Sequence, residues 1–334
     1  MISESTMNLD RSAIDPHNSS ALSELRGSVN EDPKGNPAGL SKLAMADQET
    51  FALAMGESNQ KSWLYFFPFL YSFSTASNQS LLWERVNDSI CIYILRSVND
   101  VPRLRLYLPP FPFHSAALKV AEDRQRNFNS DSRVEIVWVE QSVGPQLMRL
   151  GYRVEYRESE YIYDGNLVRS SAGGDFERLR RYVNRARRTP GLTIRSYEED
   201  DQAACLDLLA RWRQQRTEQG INIDGYGYTR RSVENAHKFD KGLLRGEVII
   251  VDGKLAAFSF GGLIRPNIES IFITISDHEI PGLGYLQRHS FISNGPNTNL
   301  FNDSSDADRS GLEQVKSSFR PVEMNHLYRA SLGE

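Results

Sequence analysis

The sequence predicts an α/β fold, a mixed sheet flanked by helices. Three observations lead there. Short β-branched or alternating runs are interleaved with segments of helical period. Asp252-Gly253 joins two such runs, Glu247–Val251 and Leu255–Phe260, and is a strong hairpin signal. The run Ser270–Ile275 leads through Asp277-His278-Glu279-Ile280-Pro281-Gly282-Leu283-Gly284 into a helical pattern, giving a strand, a glycine turn and a helix.

With 334 residues the chain has room for two domains and a tail. A hydrophobic content of 40% and a charged content of 25% fit a globular protein. The net charge of −4 gives no overall basic field, so a polyanion must be met by a local patch. Cys91 and Cys205 sit among apolar neighbours and read as buried thiols. That excludes a disulfide framework or a cysteine metal site and fits a reducing cytoplasm. The six histidines show no ligand spacing, so no metal is expected. No apolar run approaches the roughly 20 residues that span a bilayer. The richest, Trp63–Tyr71, contains Pro68, and the N-terminus lacks the pattern of a signal peptide.

Residues 1–56 begin with Ser, Asn, Asp, Pro and Gly and have no aromatic before Phe51, which predicts a flexible tail with a short helix near 41–55. Residues 57–172 form the first expected domain. Within it Ile90–Leu95, Leu104–Leu108, Val134–Val139 and Tyr152–Tyr163 read as strands and 115–127 as a helix. Pro109-Pro110-Phe111-Pro112 reads as a loop, and Gly151 stops a helix ending at Leu150. Residues 173–334 form the second. It adds helices over 198–219 and 229–244 around a loop at 222–228.

The second domain opens on a basic helix. Phe176, Leu179, Val183 and Ala186 share one face, and Arg178, Arg181, Arg185 and Arg188 form a stripe on another. Arg180, Asn184 and Arg187 flank the apolar face. A solvated helix face explains this pattern, and so does phosphate contact with an RNA end. Consistent use of Arg favours the second, because guanidinium grips phosphate bidentately. The glycine turn of Gly282 and Gly284 can seat a phosphate at a helix N-terminus, although Gly-x-Gly alone is a weak signal.

Near the end, Asn302 and Asp306 precede a helical pattern in which Leu312, Val315 and Phe319 share a face and Lys316 lies beside it. Asp306 or Asp308 is placed to cap this helix. A capped surface helix with a solvated lysine accounts for the spacing. A carboxylate and a cation at the rim of a site is the other reading, which spacing alone does not favour.

Asn302, Asp306, Leu312, Lys316, Ser318 and Pro321 resemble the C-terminal signature of the lysyl-phosphatidylglycerol synthase catalytic domain, roughly N-x3-D-x-G-x3-L-R-x2-K-x-S-[YF]-x-P. Asp308 stands where the family has Gly, and Glu313 where it has Arg. Glu160-Tyr-Ile-Tyr-Asp164 resembles the family's E-Y-x-Y-D strand, and Gly173, Arg180 and Asn184 fit its G-x6-R-x3-N helix. The family's catalytic domain often follows a multi-helix membrane flippase. This chain shows no such segment and resembles a free-standing version, which leaves peripheral membrane contact open.

The resemblance implies two tandem GNAT-like domains and transfer of an aminoacyl group from aminoacyl-tRNA to an acceptor hydroxyl or amine, on a phosphatidylglycerol-type lipid or a soluble small molecule. No cofactor is expected beyond that donor. In these terms Lys316 serves the oxyanion or terminal phosphate, and Asp306 orients the α-amino group or takes the acceptor proton. Arg180, Asn184, Arg187 and Asn302 hold the tRNA end, and Gly282 and Gly284 seat its last phosphate. His278 and Glu279 are reserve bases. Two other classes stay open: an acyl-CoA N-acyltransferase using the same cradle, and a non-catalytic, degenerate member.

Overall fold

A computed structural model describes residues 37–333, apart from 38, 77–79, 99–100, 222, 224 and 296–297. The first half contains β1 (Ser41–Lys42), α1 (Gln48–Gly56), α2 (Phe67–Ala76), β2 (Ser80–Val86), β3 (Ser89–Val98), β4 (Val101–Phe111), α3 (Ser115–Asn129), β5 (Val134–Glu140), α4 (Gly144–Arg149), β6 (Arg153–Asp164) and α5 (Gly165–Ser170). The second contains α6 (Glu177–Arg187), β7 (Leu192–Ser196), α7 (Gln202–Glu218), α8 (Tyr226–Asn235), β8 (Arg245–Val251), β9 (Lys254–Arg265), β10 (Ile268–Ser276), α9 (Leu283–Asn294), β11 (Leu300–Asn302), α10 (Ser310–Ser317) and β12 (Glu323–Leu332). The expected mixed sheet with flanking helices is present.

The strands form one sheet in the order β1-β2-β3-β4-β5-β12-β6-β11-β10-β9-β8-β7. This order repeats itself. β1 to β5 on one side match β7 to β11 on the other, each strand answering the one six later. In both halves an antiparallel run ends in a parallel pair, β4 with β5 and β10 with β11. Each parallel pair is then extended by a strand from the far half of the chain. β12 lies beside β5, β6 lies beside β11, and the two exchanged strands pair antiparallel at the centre.

Three cores clothe the sheet. One face carries a continuous apolar layer across both halves, in which Phe51, Phe66 and Phe69 of the first half meet Leu208, Phe258 and Phe272 of the second. The opposite face carries two separate cores. Leu118, Ile136 and Leu147 belong to the first half's core. Leu179, Val183, Leu286 and Phe319 belong to the second's, beneath α6, α9 and α10.

Several elements follow the sequence closely. Asp252 and Gly253 both take positive φ, 48° and 76°, as the tight β8–β9 hairpin requires. Gly151, at φ 88°, follows the turn that ends α4. Other elements differ. The flexible tail expected over 1–56 is not found in its described part, residues 37 and 39–56. Leu40, Leu43, Phe51 and Met55 are buried and α1 joins the continuous core, while residues 1–36 lie outside the described residues. The expected loop at Pro109-Pro110 belongs to β4. The pairing with β3 is irregular there, and β5 meets β4 only at Leu106–Ile136, so the prolines deny no ladder bond to that side.

A cut between 172 and 173 would separate β6 and β12 from strands they pair with. Residues 37–172 and 173–333 produced separately are therefore expected to show no cooperative thermal transition by circular dichroism, and mixing them should restore one. A half that melts cooperatively alone would contradict the strand exchange.

Candidate functional site

β10 and β11 pair only from Ile268–Ser270 to Leu300–Asn302. β10 then continues to Ser276, while the chain after Asn302 stays with β6, where Asp303 N–H donates to Tyr161 O and Tyr161 N–H to Ser304 O. A wedge opens between the parallel strands, and charged side chains fill it. Arg288, from α9, spans it. Its Nη2 donates to Thr274 Oγ1 (2.8 Å) and its Nε to Asp303 Oδ2 (3.0 Å). Tyr163 Oη donates to the same carboxylate oxygen (3.0 Å).

Lys316 stands behind Asp303. Its Nζ donates to the carbonyls of Asp303, Ser304 and Ser305, the last at 2.8 Å, and lies 3.7 Å from Asp303 Oδ1. At 1% exposure it is not the edge residue that helical spacing suggested. The loop before α10 folds back over the helix and encloses the side chain. Burial, helped by Arg288, lowers its pKa to about 8 against the pull of Asp303. Three successive carbonyls on one ammonium fix the loop at Ser304, which together with Ala307 and Asp308 takes a left-handed φ of 51–55°.

That loop presents Asp306. Its Oδ2 accepts from Tyr161 Oη (2.5 Å), and its Oδ1 from Asp308 N–H (3.0 Å). Neither Asp306 nor Asp308 caps α10. Arg309 holds the N-cap position without a side-chain cap bond, because left-handed Ala307 and Asp308 turn the chain before the helix starts. Glu158, near Ser305, Asp308 and Lys316, is pushed up to about 7, chiefly by burial.

Asn302 is buried on the other side of β6. Its Nδ2 donates to Lys61 O and to Glu160 Oε2, each at 2.8 Å. Glu160 also accepts from Ser62 Oγ (2.6 Å) and Asn325 Nδ2 (2.7 Å). Glu140 accepts from the backbone N–H groups of Lys61 and Ser62. Loss of water raises Glu160 to about 8 and Glu140 to about 7. This seam ties both exchanged strands to the segment before α2. Sequence reasoning missed it, although Glu160 and Asn325 are polar residues inside otherwise strand-like runs.

The remaining expected residues cluster at α6 and α9. Gly282 is the N-cap of α9 at φ 86°, and a Cβ there would lie 2.5 Å from Tyr182 O. The glycine thus permits close approach of α6. Gly284 lies in the first turn of α9, and Tyr182 stacks on Tyr285 at 4.5 Å. Arg180 donates to the carbonyls of Ser171 (2.5 Å) and Gly173 (2.6 Å), pinning the entrance of α6. Asn184 and Arg187 face outward and are exposed. Among the described residues, none of Arg178, Arg180, Arg181, Arg185, Arg187 and Arg188 has a carboxylate partner, whereas Arg195, Arg211, Arg230, Arg231 and Arg245 all do. His278 Nε2 lies 2.7 Å from Arg216 Nη2 and so accepts from it. Burial and that guanidinium lower its pKa.

The structure therefore gathers Asp306 and Lys316 at one loop and Arg180, Gly282 and Gly284 at one helix junction, whereas Asn302, expected to hold the tRNA end, is fully buried with its amide in the Glu160 seam. α6, α9 and the end of α10 share a core, and Arg320 Nε donates to Asp175 O (2.8 Å) between them.

Residues 51–273 match the family model described as phosphatidylglycerol lysyltransferase, C-terminal. The match includes Arg180, Asn184 and Arg187 and stops before Gly282. No curated protein matches the sequence. Three solved structures share the fold. A conserved protein of unknown function from Bacteroides thetaiotaomicron has a TM-score of 0.78 at 20% identity, covering 88% of this chain and 99% of that one. FemX has a TM-score of 0.62 at 10% identity, covering 87% and 96%. L-PGS from Bacillus licheniformis has a TM-score of 0.60 at 15% identity, covering 87% and 92%.

A carboxyl whose pKa rises on folding stabilises the fold most below its unfolded value near 4.5, and that contribution is lost as pH climbs towards about 8. Glu160→Gln keeps an oxygen for Asn302 and Asn325 and offers an NH2 to Ser62. Denaturant titrations should show the variant gaining on the parent between pH 5 and pH 8.5, by on the order of 3 kcal/mol. A parallel pH dependence in both proteins would show that Glu160 is ionised throughout.

Proposed function

The chain belongs to the family of phosphatidylglycerol lysyltransferase C-terminal domains, and on that footing we propose that it transfers an aminoacyl group from aminoacyl-tRNA to an acceptor hydroxyl or amine. The observation that carries this reading is the arginine row of α6. A protein with a net charge of −4 keeps five guanidinium groups on α6 and a sixth, Arg188, at its C-cap, with no carboxylate partner among the described residues. Such a surface suits a polyanion, since each phosphate it neutralises releases a counterion.

The donor is an activated ester, so the protein supplies alignment, proton transfer and stabilisation of the tetrahedral oxyanion. Asp306, partly exposed, takes the α-ammonium of the aminoacyl group, with Tyr161 fixing its carboxylate. Lys316 acts as a positioning residue: by holding the carbonyls of 303–305 it sets the loop that carries Asp306. The tRNA end runs along Arg181, Arg185 and Arg188 towards the start of α9, where Gly282 and Gly284 lie. The acceptor is a phosphatidylglycerol-type lipid or a small soluble molecule, and the setting is cytoplasmic. No helix among the described residues is long and apolar enough to cross a membrane, so a lipid acceptor would be met at the bilayer surface.

Two outcomes test this. Replacing Arg181, Arg185 and Arg188 together by Ala should weaken tRNA binding and flatten the slope of log affinity against log salt by roughly 2–3, with the melting temperature unchanged. An unchanged slope removes the arginine row from RNA contact. Second, the parent should bind aminoacyl-tRNA about 10- to 100-fold more tightly than its N-acetylated form, the worth of one charge-assisted contact. Asp306→Asn should erase most of that difference in filter binding. Equal discrimination by both proteins would remove Asp306 from the ammonium site.

A further inference from the structure

On α7 and α8, Arg211 meets Asp207, and Arg230 and Arg231 meet Glu234. Arg216, in the last turn of α7, has no carboxylate partner among the described residues. Its Nη2 donates instead to His278 Nε2 (2.7 Å), in a bond exposed at the surface. Its Nε is buried and has no hydrogen-bond partner. The guanidinium also lies 5.8 Å from the centroid of the Trp212 ring. A half-buried cation held only by a neutral imidazole and an aromatic ring lacks the counter-charge that its loss of water calls for.

This pair stands at the mouth of the wedge. β10 ends at Ser276, and exposed His278 follows it. On the other side the loop that carries Asp306 runs on to Arg309, whose N–H donates to Asp306 O (3.1 Å). Burial, and then repulsion from Arg309, lower the pKa of Arg216, so the two guanidinium groups feel each other across the mouth. Asp277, beside His278, turns its Oδ1 to the Glu279 N–H (2.9 Å). α7 packs in the continuous layer through Leu208 and Leu209, whereas α6 belongs to the opposite face. Arg216 is therefore separate from the arginine row. The row suits a chain of phosphates, and one guanidinium suits a single phosphate.

We infer that Arg216 binds a phosphodiester of the acceptor at the mouth of the wedge. This rests on the aminoacyl-transfer reading above. The single negative charge of a diester answers the one guanidinium that has no acid, through charge-assisted hydrogen bonds, and it relieves the repulsion between Arg216 and Arg309. His278 is a positioning residue. Its acceptor nitrogen is taken by Arg216 Nη2, which fixes the direction of the guanidinium. A hydroxyl or amine on the same molecule is thereby brought to the place where Asp306 holds the aminoacyl group. A lipid headgroup and a soluble glycerophosphodiester share this chemistry.

Glycerophosphoglycerol, with glycerol as the phosphate-free control, is titrated into the intact protein and followed by phosphorus NMR and calorimetry. The parent should bind the diester and not glycerol, and Arg216→Gln should weaken that binding about 10- to 100-fold, the worth of a charge-assisted contact. Arg211→Gln, on the same helix, and the triple replacement of Arg181, Arg185 and Arg188 by Ala should leave it unchanged. Filter binding of aminoacyl-tRNA, and its salt slope, should be the same for Arg216→Gln as for the parent, which also shows that the variant folds. Sedimentation of the parent with phosphatidylglycerol vesicles but not with phosphatidylcholine vesicles assigns the diester to a lipid, and binding of the soluble diester alone assigns it to a soluble acceptor. A parent that does not bind the diester, or an Arg216→Gln protein that binds it as the parent does, would overturn the inference. So would an equal loss in Arg211→Gln, which makes the effect one of general charge, or a flattened tRNA salt slope in Arg216→Gln, which places Arg216 on the donor's track. Absence of aminoacyl-tRNA binding by a parent that binds the diester through Arg216 would sink the underlying reading and leave the anion site standing.

Discussion

The antiparallel pairing of β6 with β12 is the constraint on which everything else depends. These are the last strand of one half and the last strand of the other, and each completes the half to which it does not belong. The consequence is a single sheet with a pseudo-repeated order and a centre made of two strands far apart in sequence. That centre is sealed by polar groups. Glu160, Asn302, Asn325 and Ser62 bind one another across β6, β11, β12 and the segment before α2. Dry and joined through the Glu160 carboxylate, such a network favours one register, whereas apolar residues alone would tolerate a slip.

The same exchange builds the site. Because β6 extends the parallel pair of the second half, the chain leaving β11 runs alongside Tyr161, and the wedge beside β10 is left for Arg288 and Asp303. Lys316 then gathers three carbonyls of that chain and turns it outward at Asp306. A cation shielded from water and surrounded by acceptors acts on the backbone, and through the backbone on the carboxylate. The arginines of α6 do the opposite. Arg181, Arg185, Arg187 and Arg188 stay at the surface with no carboxylate partner among the described residues, so their field reaches the solvent.

Much of this was legible in the sequence, for local reasons. Asp252-Gly253 dictated its hairpin, the four- and three-residue spacing of Leu179, Val183 and Ala186 dictated the buried face of α6, and apolar neighbours marked Cys91 and Cys205 as buried, which they are. What was not legible is non-local. Nothing about Glu323–Leu332 says that it lies beside Val134–Glu140, nearly two hundred positions earlier. Helical spacing put Lys316 beside an apolar face, but a loop that folds back over the helix decided that it is buried. Asp306 and Asp308 had the composition of caps, and two left-handed residues sent them elsewhere. The Ser159–His326 contact joins residues that carry no shared motif and meet only once β6 and β12 are paired.

The most direct measurement follows the ester itself. Bulk tRNA charged with labelled amino acids is incubated with the protein and a cell extract, and the label is traced with time. Protein-dependent movement of label from tRNA to an acceptor other than water, suppressed when Arg181, Arg185 and Arg188 are replaced, is what the account predicts. Label that stays on tRNA while labelled acetyl-CoA is consumed in its place would contradict it.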